Sequence, residues 1–175
     1  MIQVPALARL ISPHRIFPRL HASSRRQVLR DLVGVAAPQL GVDHRTVFNA
    51  LVSQPDLPTF GPARGVAMPH ACIEGLEAPA AFLARLARPI PFGAADGELV
   101  QIVALVLSPQ DDPSTLLRSM SCVARRLRDR AVRDAILSAG DSDTIFSVLV
   151  SEDWREPLTV PAISAPSRAG RLGSG

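Results

Sequence analysis

The chain contains no tyrosine, only one tryptophan and six phenylalanines among 175 residues. A core built from it has to be aliphatic, made of Leu, Val, Ile and Ala. Lysine is also missing, so all nineteen basic residues are arginine, and no function follows from that choice. Only two cysteines occur, Cys72 and Cys122, far apart and without a CxxC. That excludes a disulfide framework and fits a reducing, cytoplasmic compartment. The longest strongly apolar stretch, "LVQIVALVL" at residues 99 to 107, is too short to span a bilayer and reads as a buried strand. No signal peptide with a cleavage site is visible. The sequence also lacks a G-x-S-x-G elbow, a P-loop and a dinucleotide fingerprint.

Apolar residues make up 47% of the chain, which argues for a packed core and one compact domain with loose ends. The net charge of +3 hides an uneven distribution. Residues 1 to 30 carry six arginines and no acid, and residues 118 to 133 carry six with only Asp129 against them. The first cluster is similar to a transit peptide in composition, but we read it as the arginine-rich start of a cytoplasmic chain. The second cluster has the composition of a phosphate-contacting surface for nucleic acid. A solvated helix face or a docking surface for an acidic partner is the preferred reading.

Residues 1 to 22 are broken by Pro5, Pro13 and Pro18 and read as an irregular lead-in. Ser23 or Ser24 opens a helix in which Val28, Leu29, Leu32, Val33 and Ala36 recur at helical spacing, with a stop or kink expected near Pro38. Asp43 caps a second helix with Val47, Phe48 and Leu51 on one face, ended by Pro55 and Pro58. "RGVAMPH", "AAFLARL" and "LVQIVALVLS" read as strands, although propensity alone would also allow a short helix for "AAFLARL"; the last two are joined by the turn-rich "IPFGAADGE", where Asp96 is a turn residue. Asp112 followed by Pro113 starts another helix, with Leu116, Leu117, Met120, Val123, Ala124 and Leu127 as its apolar stripe and Arg118, Arg125, Arg126 and Arg128 off it. Two short helices follow, one over about 130 to 138 and one capped by Asp141 or Ser142 with Ile145, Phe146 and Leu149 inward. The result is an α/β domain over residues 10 to 153, a central sheet covered by helices, with a disordered tail at 154 to 175.

His70 is the residue that invites chemistry. It follows a proline at the end of "GVAMPH", and its neighbourhood holds only Cys72 as a second metal-ligand type, so no metal site is expected. Two readings remain open on the residues alone. One is a loop histidine hydrogen-bonded to its neighbours, the commoner case. The other is a nucleophile toward a phosphoryl group, since imidazole is largely unprotonated at neutral pH with one free lone pair. Gly61 and Gly65 would let backbone N–H groups approach an anion, and Arg64 would add charge. Cys72 reads as a packed thiol.

The stretch "GVAMPH" resembles the motif around the phosphorylated histidine of the phosphotransferase-system IIA proteins of the mannitol/fructose and nitrogen-regulatory type. "PIPFGAADGELVQIVALVLSP" at 89 to 109, "LHASSRRQVLRDLVGVAA" at 20 to 37 and "LLRSMSCVARRLRD" at 116 to 129 are similar to three further family segments, in order, so the resemblance spans roughly residues 10 to 150. It implies a central mixed sheet of about five strands flanked by helices. It implies that His70 accepts a phosphoryl group from a histidine phosphocarrier protein, itself charged from phosphoenolpyruvate through enzyme I, with no cofactor and no membrane span. In the nitrogen-regulatory branch, favoured here because no permease or sugar-carrier domain is visible, the phosphorylation state controls a regulatory target protein that the sequence does not identify.

The chain departs from the family pattern in three places. Gln54 and Pro55 stand where an Arg-Glu pair is usual, Leu116 where a second histidine is usual, and Ala71 where glycine follows the nucleophile. Each charged donor lost from a phosphoryl group removes on the order of 1.5–3 kcal/mol of interaction. Arg64 is the better residue to compensate, because Arg118, two positions past Leu116, points aside on an ideal helix. The alternative is a degenerate relative that serves as a regulatory binding module without accepting phosphate.

Overall fold

The computed structural model describes residues 6–54, 64–93 and 97–151. Pro55, Pro58, Gly61, Asp96 and the tail at 154 to 175 lie outside the described residues. Two strands form the centre. β4 (Ala80–Pro91) and β5 (Leu99–Pro109) run antiparallel, with β1 (Ile16–Leu20) parallel to β4 on one side. On the far side, β2 (Val66–Ala67) and β3 (His70–Ile73) both lie parallel along β5, so the five-stranded sheet is mixed.

The apolar run of β5 has no polar alternation because both faces are covered. Val103, Leu105 and Leu107 enter a cluster with α1 (Arg25–Leu40) and α2 (His44–Val52). Ile102, Ala104 and Val106 enter a second cluster with α3 (Pro113–Leu127), α4 (Arg130–Ser138) and α5 (Ser142–Val150). The second cluster also takes Leu7, Leu10 and Ile11 from the start of the chain. Helix starts fall on the expected caps: the side chains of Ser24, Asp43, Asp112 and Asp141 each accept a main-chain N–H from the first turn.

The described part of the lead-in, residues 6 to 22, is more ordered than its prolines suggested. Ala6–Arg9 and Pro13–Arg15 form single 3-10 turns, and Ile16–Leu20 is the edge strand β1. An edge strand tolerates Pro18, whose missing N–H has no ladder partner to lose on the open side. Its carbonyl accepts from the Arg85 guanidinium, which also donates to the carbonyls of Leu137 and Ala139 and so joins β1, β4 and the end of α4. α1 stops near Pro38, as expected, though Gly41 and not the proline supplies the stop. The helix runs two residues further and ends at Gly41, which takes the left-handed conformation at φ 67° while its N–H bonds Ala37 O. In the last turn, Pro38 forfeits a single bond, to Gly34.

The stripe on α3 also needs correcting. Leu117 is 69% exposed, and Arg126, expected off the stripe, is buried. Its guanidinium reaches Val148 O and, at 2.8 Å, Ser151 Oγ, closing the C-terminal turn of α5.

Candidate functional site

His70 opens β3 rather than sitting in a loop. The alternation along β3 buries Ala71 and Ile73 under α2, on the α1–α2 side, and leaves His70 and Cys72 half-buried on the α3 side. α3 begins four residues after β5 ends, so its first turn is delivered to the sheet end where β3 pairs with Val106 to Pro109. α3 packs against both strands there.

Two contacts fix His70. Its Nδ1 lies 3.0 Å from the main-chain carbonyl of Met68. A carbonyl can only accept, so this contact requires Nδ1 to carry the proton, and Nε2 is left with the free lone pair. Met68 O is available because the neighbouring Pro69 turns its own carbonyl to β5, where it accepts from the Val106 N–H at 3.0 Å, so that the alternation of the strand points the Met68 carbonyl away from β5. The second contact is on the backbone: Gln54 Nε2 donates to His70 O at 2.6 Å. Gln54 is in turn held from behind, where Arg25 donates to the carbonyls of Leu51 and Gln54 at 3.4 Å. In the sequence, Gln54 is marked only as a departure from the family pattern. A contact between residues sixteen positions apart, to a main-chain oxygen, leaves no sequence signal.

The structure does not bring Arg64 to His70. Gly65 O accepts from the N–H groups of Gln101 and Ile102, whereas His70 stands opposite Val106, so the two reach different stretches of β5. Arg64 is exposed and paired with Glu98 at 3.3 Å, facing a groove it shares with Arg130 and Arg133 of α4. Gly65 has φ 76°, a value glycine reaches freely, and serves the turn that admits the chain to β2. Arg118 is exposed and engaged within the first turns of its own helix: it pairs with Asp112 at 3.5 Å and donates to Thr115 Oγ1 at 3.0 Å. Leu116 packs on the apolar cluster under α3. Cys72 lies beside Ser108 in register, and Cys122 is half-buried on α3, where burial pushes its thiol up. Among the described residues there is no group of three His, Cys, Asp or Glu side chains able to hold a metal ion.

The site is thus a histidine with a fixed tautomer, a free Nε2 and a braced main chain, on the edge of a mixed sheet. Residues 9–152 match the family described as the phosphoenolpyruvate-dependent sugar phosphotransferase system, EIIA 2. A nitrogen regulatory protein from Bradyrhizobium diazoefficiens is 36% identical over 140 residues, covering 80% of this chain and 92% of that protein. One from Klebsiella oxytoca is 29% identical, covering 75% and 82%. In fold, the chain is similar to the nitrogen regulatory protein IIA-Ntr from Neisseria meningitidis, with a TM-score of 0.74 at 20% identity over 82% of this chain and 98% of that one. The IIA mannitol protein of Escherichia coli follows with a TM-score of 0.65 at 15% identity over 79% and 98%. The expected mixed sheet and the resemblance read from "GVAMPH" are both met: the chain belongs to the EIIA 2 family of the phosphoenolpyruvate-dependent sugar phosphotransferase system.

Proposed function

We propose that His70 accepts a phosphoryl group on Nε2 from the phosphohistidine of a phosphocarrier protein, and that its phosphorylation state governs binding to a regulatory target. The observation that carries this reading is the Nδ1 contact to Met68 O. It disfavours the tautomer in which Nδ1 would compete as nucleophile and leaves the lone pair on Nε2. The Nε2–P bond forms as the donor's N–P bond breaks, and the donor imidazole leaves with the electron pair. On the product, Nδ1 keeps its proton, and Met68 O stabilises the positive charge that the ring gains. Such transfers run through a loose, in-line transition state, so positioning of the ring counts for more than any group that reacts.

The nitrogen regulatory relatives support a regulatory rather than a sugar-transporting role. The reading places the protein in the cytoplasm with its phosphocarrier. No helix among the described residues is long and apolar enough to cross a membrane.

A second reading has an observation of its own. Gln54 spends its amide on His70 O, and Leu116 joins the apolar cluster, so neither offers a charged donor to a phosphoryl group. On that reading the protein is a binding module and His70 a remnant.

The test mixes the purified protein with enzyme I, the phosphocarrier and phosphoenolpyruvate, and follows intact mass beside His70→Ala. An acid-labile gain of one phosphoryl group, absent from the variant and assigned to Nε2 by NMR, is the expected result. No gain, with a cognate relay shown to charge its own phosphocarrier, overturns the first reading in favour of the second.

A further inference from the structure

The outward face of α3 carries features that the reaction at His70 does not use. Leu117 is 69% exposed, and a groove of about 470 Å³ runs beside it, lined by Ala6, Leu117, Arg118, Ser121, Cys122 and Arg125. Leu117, Ser121, Arg125 and Arg128 follow at spacings of four, four and three residues, a continuous outward strip on a helix. α3 contains three arginines and no acid. Arg118 is partly neutralised by Asp112. Arg125 and Arg128 are exposed and have no ion pair with any described residue. The 3-10 turn Ala6–Arg9 packs on α3 and carries a further exposed arginine, Arg9.

We propose that this face docks an acidic protein segment that carries an aliphatic side chain for the Leu117 groove. Charge complementarity selects the sign of the partner, because an acidic segment meets unneutralised arginines along the strip. The leucine selects its class: an exposed aliphatic anchor flanked by charged side chains is the anatomy of a protein interface. A nucleic acid backbone would satisfy the arginines and leave Leu117 against phosphate and sugar. A second copy would bring an equally basic strip and no acid from α3 to match the arginines. This docking face is formed by α3 and the Ala6–Arg9 turn and does not depend on whether His70 is phosphorylated.

The test titrates the 15N-labelled full chain with a short peptide of repeated Glu-Leu-Glu and, separately, with random-sequence duplex DNA. Amide shifts mapping to residues 114–128 with the peptide, and weaker or scattered shifts with DNA, are expected. Arg125→Glu together with Arg128→Glu should weaken the peptide by roughly tenfold, as loss of rim charges of matching sign does. Leu117→Ser should weaken it severalfold while preserving its salt dependence. Arg30→Glu with Arg45→Glu, at exposed positions on α1 and α2, should leave it unchanged. The three variants alter solvent-facing side chains, and each is checked against the wild-type amide spectrum. Equal weakening by the α1–α2 pair, an unchanged affinity in Leu117→Ser, or tighter binding of DNA to the same residues would each overturn the proposal.

Discussion

Gln54 and His70 are joined by a 2.6 Å hydrogen bond from the Gln54 side chain to the His70 main-chain carbonyl, which ties the end of α2 to the first residue of β3. Removing it by Gln54→Ala leaves that carbonyl without its partner. We expect a loss of about 1 kcal/mol in stability. We also expect slower phosphoryl acceptance, because the ring loses its reference to α2. Urea unfolding measures the first and intact-mass time courses the second. A variant that is less stable yet charges at the wild-type rate would reduce Gln54 to a structural role.

Arg64→Ala should leave the rate of phosphoryl acceptance unchanged. Its guanidinium is exposed and paired with Glu98, away from the stretch of β5 that holds His70. The stability change should stay within about 0.5 kcal/mol, as for most exposed ion pairs. A slower phosphorylation time course in this variant would contradict the placement.

Asp112 caps α3 through Ser114 and Thr115, whose hydrogen bonds hold its carboxyl down at about 2. The folded state therefore favours the ionised form. The stabilisation is complete above the ordinary carboxylate range and disappears as pH falls toward 2. Asp112→Asn should be less stable than wild type at neutral pH, and the two melting curves should converge between about pH 4 and pH 2. A constant difference across that window would show that the charge plays no part.

Phe82 is fully buried in β4, with the Arg15 guanidinium 5.4 Å above its ring. Phe82→Ala should cost about 3–5 kcal/mol, as large-to-small changes of a buried aromatic do. That is a large share of a domain's total stability of about 5–15 kcal/mol, so the urea midpoint should fall steeply.

What the sequence disclosed and what it concealed divide along physical lines. Caps and periodic apolar faces are local, so Ser24, Asp43, Asp112 and Asp141 were legible at once. The buried strand "LVQIVALVL" was legible because both of its faces are covered. His70 stood out through its motif. β1 was concealed because a short edge strand with a proline satisfies few ladder bonds and shows no pattern of its own. Arg126 was concealed because burial of an arginine is decided by two distant acceptors, Val148 O and Ser151 Oγ. The support of His70 was concealed for the same reason: Met68 O and the Gln54 amide act through the main chain. Proximity in sequence misled at Arg64, six residues before His70 and yet beside Glu98.

β2 and β3 keep one register along β5, with Val66 opposite Ile102, Ala67 opposite Val103, His70 opposite Val106 and Ile73 opposite Pro109. Pro69 therefore removes one donor from the ladder, while its carbonyl still accepts from the Val106 N–H, and the count does not shift. Homologous chains should then vary in length before Gly65 and after Ile73 but not between them. A single inserted or deleted residue in that window would turn the imidazole to the opposite face of the sheet, under α2, and silence the site while leaving every helix intact.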